Sequence, residues 1–173
     1  MPLLHTLLHL PARLLYLALA VTAFCLLAFG LYLQHFQGLE PCPMCIMQRY
    51  AFLLVAVLAL VAAMHAPGRT GSRVYAALIG LMALTGGGIA ARQTWIQLYP
   101  PAIPECGPGL EFMLDSFPLG QALPMIFRGA GDCSIVDWTF LGLSIANWSL
   151  VSFSATVAFA LWMLLRRERP ASA

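Results

Sequence analysis

The sequence predicts an all-α membrane protein, a four-transmembrane-helix bundle with two outward loops that each carry a cysteine pair. Three observations predict it. Apolar residues make up 61% of the 173 and charged residues only 9%, with a mean hydropathy of +0.83. A soluble domain of this size carries far more charge on its surface. Four apolar runs are long enough to cross a bilayer core, which takes roughly 20 helical residues. The arginines gather on one side of those runs. The net charge of +2, without a single lysine, argues against a nucleic-acid partner.

The first span is Leu14–Leu33, which holds no charge. Its run is longer than a secretory h-region and no small-X-small cleavage site follows, so it reads as a retained span. The second, Ile46–His65, has Gln48 and Arg49 only in its first turn before AFLLVAVLALVAAM. The third, Val74–Ala91, contains GGG at 86–88, which costs helix propensity yet permits close helix packing. The fourth, Trp148–Leu165, ends before RRER. APGRTGSR between spans two and three reads as a turn. The outward segments are then 34–45 and 92–147. The second is rich in Pro and Gly, and a connection of that length tends to be functional. Within it Leu110–Met113 and Leu119–Phe127 are apolar enough to rest on the bilayer interface as short helices. No repeat or low-complexity segment divides the chain, so residues 1–173 form a single membrane domain.

Arg13, Arg69, Arg73, Arg166, Arg167 and Arg169 fall on one side, which the positive-inside rule makes cytoplasmic. Arg92 and Arg128 fall on the other, with Arg49 at its edge, and six of the seven acids lie there too. Both termini are then inside and the cysteine loops outside.

Five cysteines are present, at 25, 42, 45, 106 and 133. Cys25, alone in the middle of span one, reads as a small packing residue. Cys106 and Cys133 sit in the glycine-rich turns ECGPG and GAGDCS, which read as exposed. A disulfide there would stabilise the fold by about 3 kcal/mol through loop closure. Exposed bridges are also the exchangeable ones, and both readings stand. Cys42 and Cys45, in PCPMC, are different: a bridge across two residues closes almost no loop, so a structural role gains little. Such pairs occur as redox couples or half metal sites. Cys45 lies where span two begins, where unpaired backbone N–H groups favour a thiolate. Arg49, at i+4 from Cys45, adds a fixed positive charge on the same face and a donor for an anionic or carbonyl-bearing cofactor. Its plainer alternative is a snorkelling interfacial residue. A four-cysteine zinc site ranks below disulfides, because Cys106 and Cys133 do not form a tight knuckle. No metal is expected.

These residues resemble the disulfide bond formation protein B (DsbB) family. The likeness covers nearly the whole chain: PCPMCIMQR at 41–49, QLYP at 97–100, CGPGLEFML at 106–114, FPLGQALPMIFRGAGDC at 117–133 and WTFLGL at 138–143. It implies a protein-disulfide oxidoreductase of the bacterial inner membrane with its cysteine loops in the periplasm. By resemblance, a Cys106–Cys133 disulfide oxidises a reduced DsbA-like partner, with Cys106 the point of attack. Electrons then pass to a Cys42–Cys45 disulfide and on to a quinone, ubiquinone or menaquinone, beside Cys45 and Arg49. A relay of that kind, from DsbA through DsbB to quinone, keeps bacterial periplasms oxidising. Gln93 stands before TWIQLYP where the family often has histidine, so a quinone contact there would fall to a neutral amide. Ala146 stands where the family often has proline, a variation at a helix start. Two other readings use the same residues. One is a related membrane thiol enzyme with a different partner or a reducing direction. The other is a metal-binding or scaffold protein held by structural disulfides.

Overall fold

The computed structural model describes residues 10–100, 116, 118, 133–134, 136 and 138–166. Four helices dominate: α1 Ala12–Gln37, α2 Pro43–His65, α3 Arg69–Leu98 and α4 Ile145–Leu165. Each is long and apolar enough to cross a membrane. At about 1.5 Å per residue even the shortest spans the hydrocarbon core. The proposed interfacial helices at 110–113 and 119–127 lie outside the described residues.

All four expected spans are present, and each is longer than its apolar run. The third differs most. It begins at Arg69 and continues to Leu98, so Arg92 and Gln93 are helical rather than part of the outer loop. RTGSR, expected as a turn, forms the start of α3, leaving residues 66–68 between helices. Hydropathy marks where a helix can be buried in lipid, whereas backbone hydrogen bonding carries the helix on through the polar interface. A short hairpin was not foreseen. Strands β1 Thr139–Phe140 and β2 Leu143–Ser144 pair antiparallel, Thr139 with Ser144 and Phe140 with Leu143. Its tip places Leu141 and Gly142 at positive φ, 52° and 77°. Ser144 then caps α4 by accepting from the Asn147 N–H.

The helices pack in sequence order, α1 on α2, α2 on α3 and α3 on α4. The core is rich in small residues, among them Ala20, Ala56, Ala59, Ala76 and Ala83, with Tyr16, Phe52 and Phe153 among its large members. Small side chains allow close helix approach where lipid removes the usual hydrophobic drive. Gly86 shows why the glycine run does not break α3. A Cβ there would sit 2.4 Å from Phe153 Cζ and 2.9 Å from Ala51 Cβ. Its bare backbone thus admits the Phe52–Phe153 stack, with ring centroids 4.0 Å apart.

α1 and α4 meet mainly at one end of the bundle. There Tyr16 packs edge-on against Phe159, and the Tyr16 hydroxyl donates to the Ser72 carbonyl at 2.7 Å. Arg166 donates to the Leu10 carbonyl at 2.6 Å and lies over the Trp162 ring. Arg13, Arg69 and Arg73 occupy this same end. Toward the cysteine end the two helices leave a gap. Cys25 is exposed on the outer face of α1, so the packing role expected for it does not hold: its position on the helix turns it away from the neighbours.

Candidate functional site

The site starts from the entry into α2. Gly38, at φ 66°, ends α1 in the left-handed conformation and donates its N–H to the Leu33 carbonyl. This reverses the chain within residues 38–42. Cys42 is the N-cap of α2, and Pro43 follows at the first helical position, where its missing N–H is no loss. The Cys42 sulfur accepts from the Cys45 N–H at 3.3 Å, which turns both side chains to the same side. Their Sγ atoms are 2.8 Å apart, with the Cys42 thiol donating to Cys45.

One turn further, the helix divides its polar residues around Cys45. Gln48, at i+3, points toward α3; Arg49, at i+4, points toward α1. Gln48 is 3% exposed and donates its Nε2 to Gln93 Oε1 at 2.6 Å. Gln93, also 3% exposed, donates its own Nε2 to Cys42 Sγ at 3.3 Å and Cys45 Sγ at 3.2 Å. Arg49 donates to the Gly30 carbonyl at 3.0 Å and to Gln34 Oε1. It is therefore tied to α1 rather than snorkelling into water. Two of its five N–H groups are used, and its side chain borders a cavity. Its charge is close enough to act on Cys45.

That cavity has a volume of about 630 Å³ and fills the gap between α1 and α4. Leu26, Phe29 and Gly30 form one wall, Ile145, Trp148 and Ser152 the other, and Cys45, Gln48, Arg49 and Gln93 the floor. The hairpin closes its outer side. Trp138 packs against Phe29 of α1, ring centroids 5.8 Å apart, and Trp148 Nε1 donates to the Phe140 carbonyl at 3.0 Å. The start of α4 is tied to α3 by Ser144 to Gln97, 2.7 Å, and Thr94 to Asn147, 2.9 Å.

Cys133 corrects one expectation. It is 1% exposed rather than lying in an open turn, and it sits with Cys42, Met44, Ile89 and Ile96 in a small apolar cluster. A thiol is apolar enough to be drawn into such a pocket even when glycines precede it. Cys133 and Cys42 are hydrogen-bonded through their side chains. That bond first, then the one to Cys45, then burial, push the Cys42 thiol well above its ordinary pKa. Cys42 is thus the hydrogen-bond donor of the pair and Cys45 its acceptor. Cys106 lies outside the described residues.

The structure thus brings together Cys42, Cys45, Arg49, Gln93 and Cys133 of the expected site residues. Gln48 was missed. The signal was present, since a glutamine inside an apolar span, one turn from Cys45, is as conspicuous as Arg49.

Fold and site together define a four-span membrane thiol protein, with a Cys-X-X-Cys couple set between a second buried cysteine and an apolar, donor-lined cavity. Comparison with known sequences agrees with that class. The family model described as "Disulfide bond formation protein DsbB" matches residues 12–163. A disulfide bond formation protein B from Azoarcus sp. (strain BH72) is 71% identical over 154 residues, 88% of this chain and 93% of the relative. Its counterparts from Aromatoleum aromaticum and Paracidovorax citrulli are 66% and 50% identical, over 90% and 93% of this chain and 94% and 91% of theirs. The chain belongs to the DsbB family, and its role lies in bacterial disulfide bond formation.

Proposed function

We propose that this protein is a quinone-dependent thiol oxidase of the bacterial inner membrane. It reoxidises a DsbA-like periplasmic dithiol protein and passes the electrons through two cysteine pairs. The observation that carries this reading is the position of Cys42. It touches Cys133 on one side and Cys45 on the other, and Cys45 stands on the cavity floor.

A partner thiolate attacks Cys106 of a Cys106–Cys133 disulfide and displaces Cys133. The Cys133 thiolate attacks Cys42 of a Cys42–Cys45 disulfide and displaces Cys45, which keeps the electron pair as a thiolate. The partner's second thiolate releases Cys106 and leaves with a disulfide of its own. Cys106 then attacks Cys133, restoring the outer pair and freeing Cys42 as a thiol. Every step is a thiolate attack on a disulfide, and the two electrons finish on Cys42 and Cys45.

A cavity of 630 Å³ with mainly apolar walls and a few convergent polar groups is of the size and character that takes a cofactor ring. The residues present fit a quinone. Arg49 offers spare N–H groups to a carbonyl oxygen, while Phe29, Trp138 and Trp148 offer flat apolar surface. When bound, ubiquinone or menaquinone supplies an acceptor for two electrons and two protons. The chain's part is to hold the Cys45 thiolate beside that acceptor, to keep a cation near oxygens that gain negative charge, and to shield both from water with the hairpin.

Anaerobic mixing with a reduced DsbA-like protein and either quinone tests this directly. Quinone absorbance is expected to fall by one equivalent for each partner disulfide formed. A partner that stays reduced while the quinone is unchanged would sink the reading.

The arginine-rich end of the bundle is assigned to the cytoplasm together with both termini, and the cysteine end to the periplasm. Membrane-impermeant thiol reagents applied to spheroplasts after reduction and mild denaturation of the outer face are expected to label Cys42, Cys45, Cys106 and Cys133. Labelling only after the membrane is opened would reverse the topology.

A further inference from the structure

Gln93 does more than line the cavity. Its side chain bridges the two sulfurs of the Cys42–Cys45 couple, and a second buried amide holds it there. We propose that Gln93, pinned by Gln48, is a positioning residue that favours the reduced form of this couple by donating to both sulfurs without adding a titratable group.

Gln48 and Gln93 are each 3% exposed, so their amide groups depend on each other and on the sulfurs for partners. Gln48 Nε2 donates to Gln93 Oε1 at 2.6 Å. With Gln93 Oε1 accepting from Gln48, the Nε2 end is the one turned between the sulfurs, and the Cys45 thiol lies 3.7 Å from Oε1. The Gln93 Nε2 is left 3.3 Å from Cys42 Sγ and 3.2 Å from Cys45 Sγ. A thiolate is a far better acceptor than a disulfide sulfur, since hydrogen bonds to ionised groups are the strong ones. The donation therefore stabilises the reduced couple more than the oxidised one.

The surroundings make that neutral donor informative. Arg49 on α2 and Glu40 in the connection before it line the same cavity, and Cys133 contacts Cys42. From α3, the element packed against the sulfurs, the contact comes from an amide that holds one charge state at every working pH. Reduction of the couple takes two electrons from an outside dithiol and gives either two thiols or a thiol and a thiolate. Gln93 itself exchanges neither proton nor electron.

The inference rests on the redox reading of Cys42–Cys45, and a glutathione titration separates the two. Full-length protein in detergent is equilibrated with reduced and oxidised glutathione at about pH 8, where an imidazole is neutral. Thiols are then alkylated, and the mass of the peptide carrying both cysteines reports their state. No quinone or protein partner is needed. Gln93→Leu is expected to move the equilibrium about tenfold toward the disulfide, which is about 30 mV for a two-electron couple. Gln93→Glu, isosteric but without a donor when ionised, moves it further the same way, and it carries the test should the leucine variant fail to fold. Gln48→Leu, which frees the amide to turn, gives a smaller shift of the same sign. Gln93→His keeps an N–H and restores most of the wild-type value. Gln93→Leu and Gln93→Glu both within twofold of a wild type that titrates normally would overturn the proposal. A wild-type pair that never equilibrates with glutathione would overturn the redox reading as well.

Discussion

Cys133→Ser is expected to abolish quinone-linked turnover and to trap the soluble partner as a mixed disulfide on Cys106. Removing the sulfur that touches Cys42 cuts the described contact between the outer and inner pairs. Cys106 can then still exchange with a partner but has no neighbouring thiol to release it. The burial of Cys133 among Met44, Ile89 and Ile96 adds a complication, because a hydroxyl in that apolar cluster is more costly to desolvate than a thiol, by about 1–3 kcal/mol where its hydrogen bonding is incomplete. Cys133→Ala removes the sulfur without that penalty and should trap the partner equally well. Electrophoresis without reductant reads the adduct. Should it form just as readily when Cys106→Ser is combined with Cys133→Ser, the partner enters somewhere else. Trapping by serine but not by alanine would point to a folding defect.

Arg49→Ala is expected to weaken apparent quinone affinity by about ten- to a hundredfold, the equivalent of one hydrogen bond from a charged donor at roughly 1.5–3 kcal/mol. Turnover at saturating quinone should fall as well, because the cation acts on charge that develops during transfer. Exchange between Cys106–Cys133 and the soluble partner should survive, since Arg49 faces α1 and the cavity rather than Cys133. The contacts to Gly30 and Gln34 set the conservative variants. Arg49→Lys keeps the charge but replaces a planar fork with a point donor, so it should be the milder lesion. Gln34→Leu leaves the guanidinium in place with one tether cut and should cost less again. Steady-state rates over a quinone titration distinguish these outcomes. An alanine variant with unchanged apparent affinity and rate would reduce Arg49 to a brace between α1 and α2.

The sequence by itself was enough for the four spans, because partition into a bilayer depends on runs of apolar residues and those are local. It was also enough to single out Cys42 and Cys45, because a bridge across two residues has little structural use, and Arg49, because helical periodicity places i+4 on the same face as Cys45. The same periodicity pointed to Gln48, which escaped attention only because an uncharged residue in a first turn looks ordinary. Hydropathy misplaced the end of α3 by seven residues, from Ala91 to Leu98, and so put Gln93 in a loop. Turn composition misjudged Cys133, because glycine neighbours say how the chain can bend and not what the next side chain will meet.

Only the tertiary structure decided which side chains converge. Gln93 is 51 residues from Cys42 along the chain. Its reach to the sulfurs depends on how α3 is rotated against α2, which Gly86, Ala51 and Phe153 set through close packing. The cavity has a similar origin. α1 and α4 are held together at the Tyr16–Phe159 end and bridged by Trp138 and Phe29 at the other, leaving a chamber between. No local pattern encodes such a chamber, because its walls come from helices at opposite ends of the sequence and its volume is what their packing leaves unfilled.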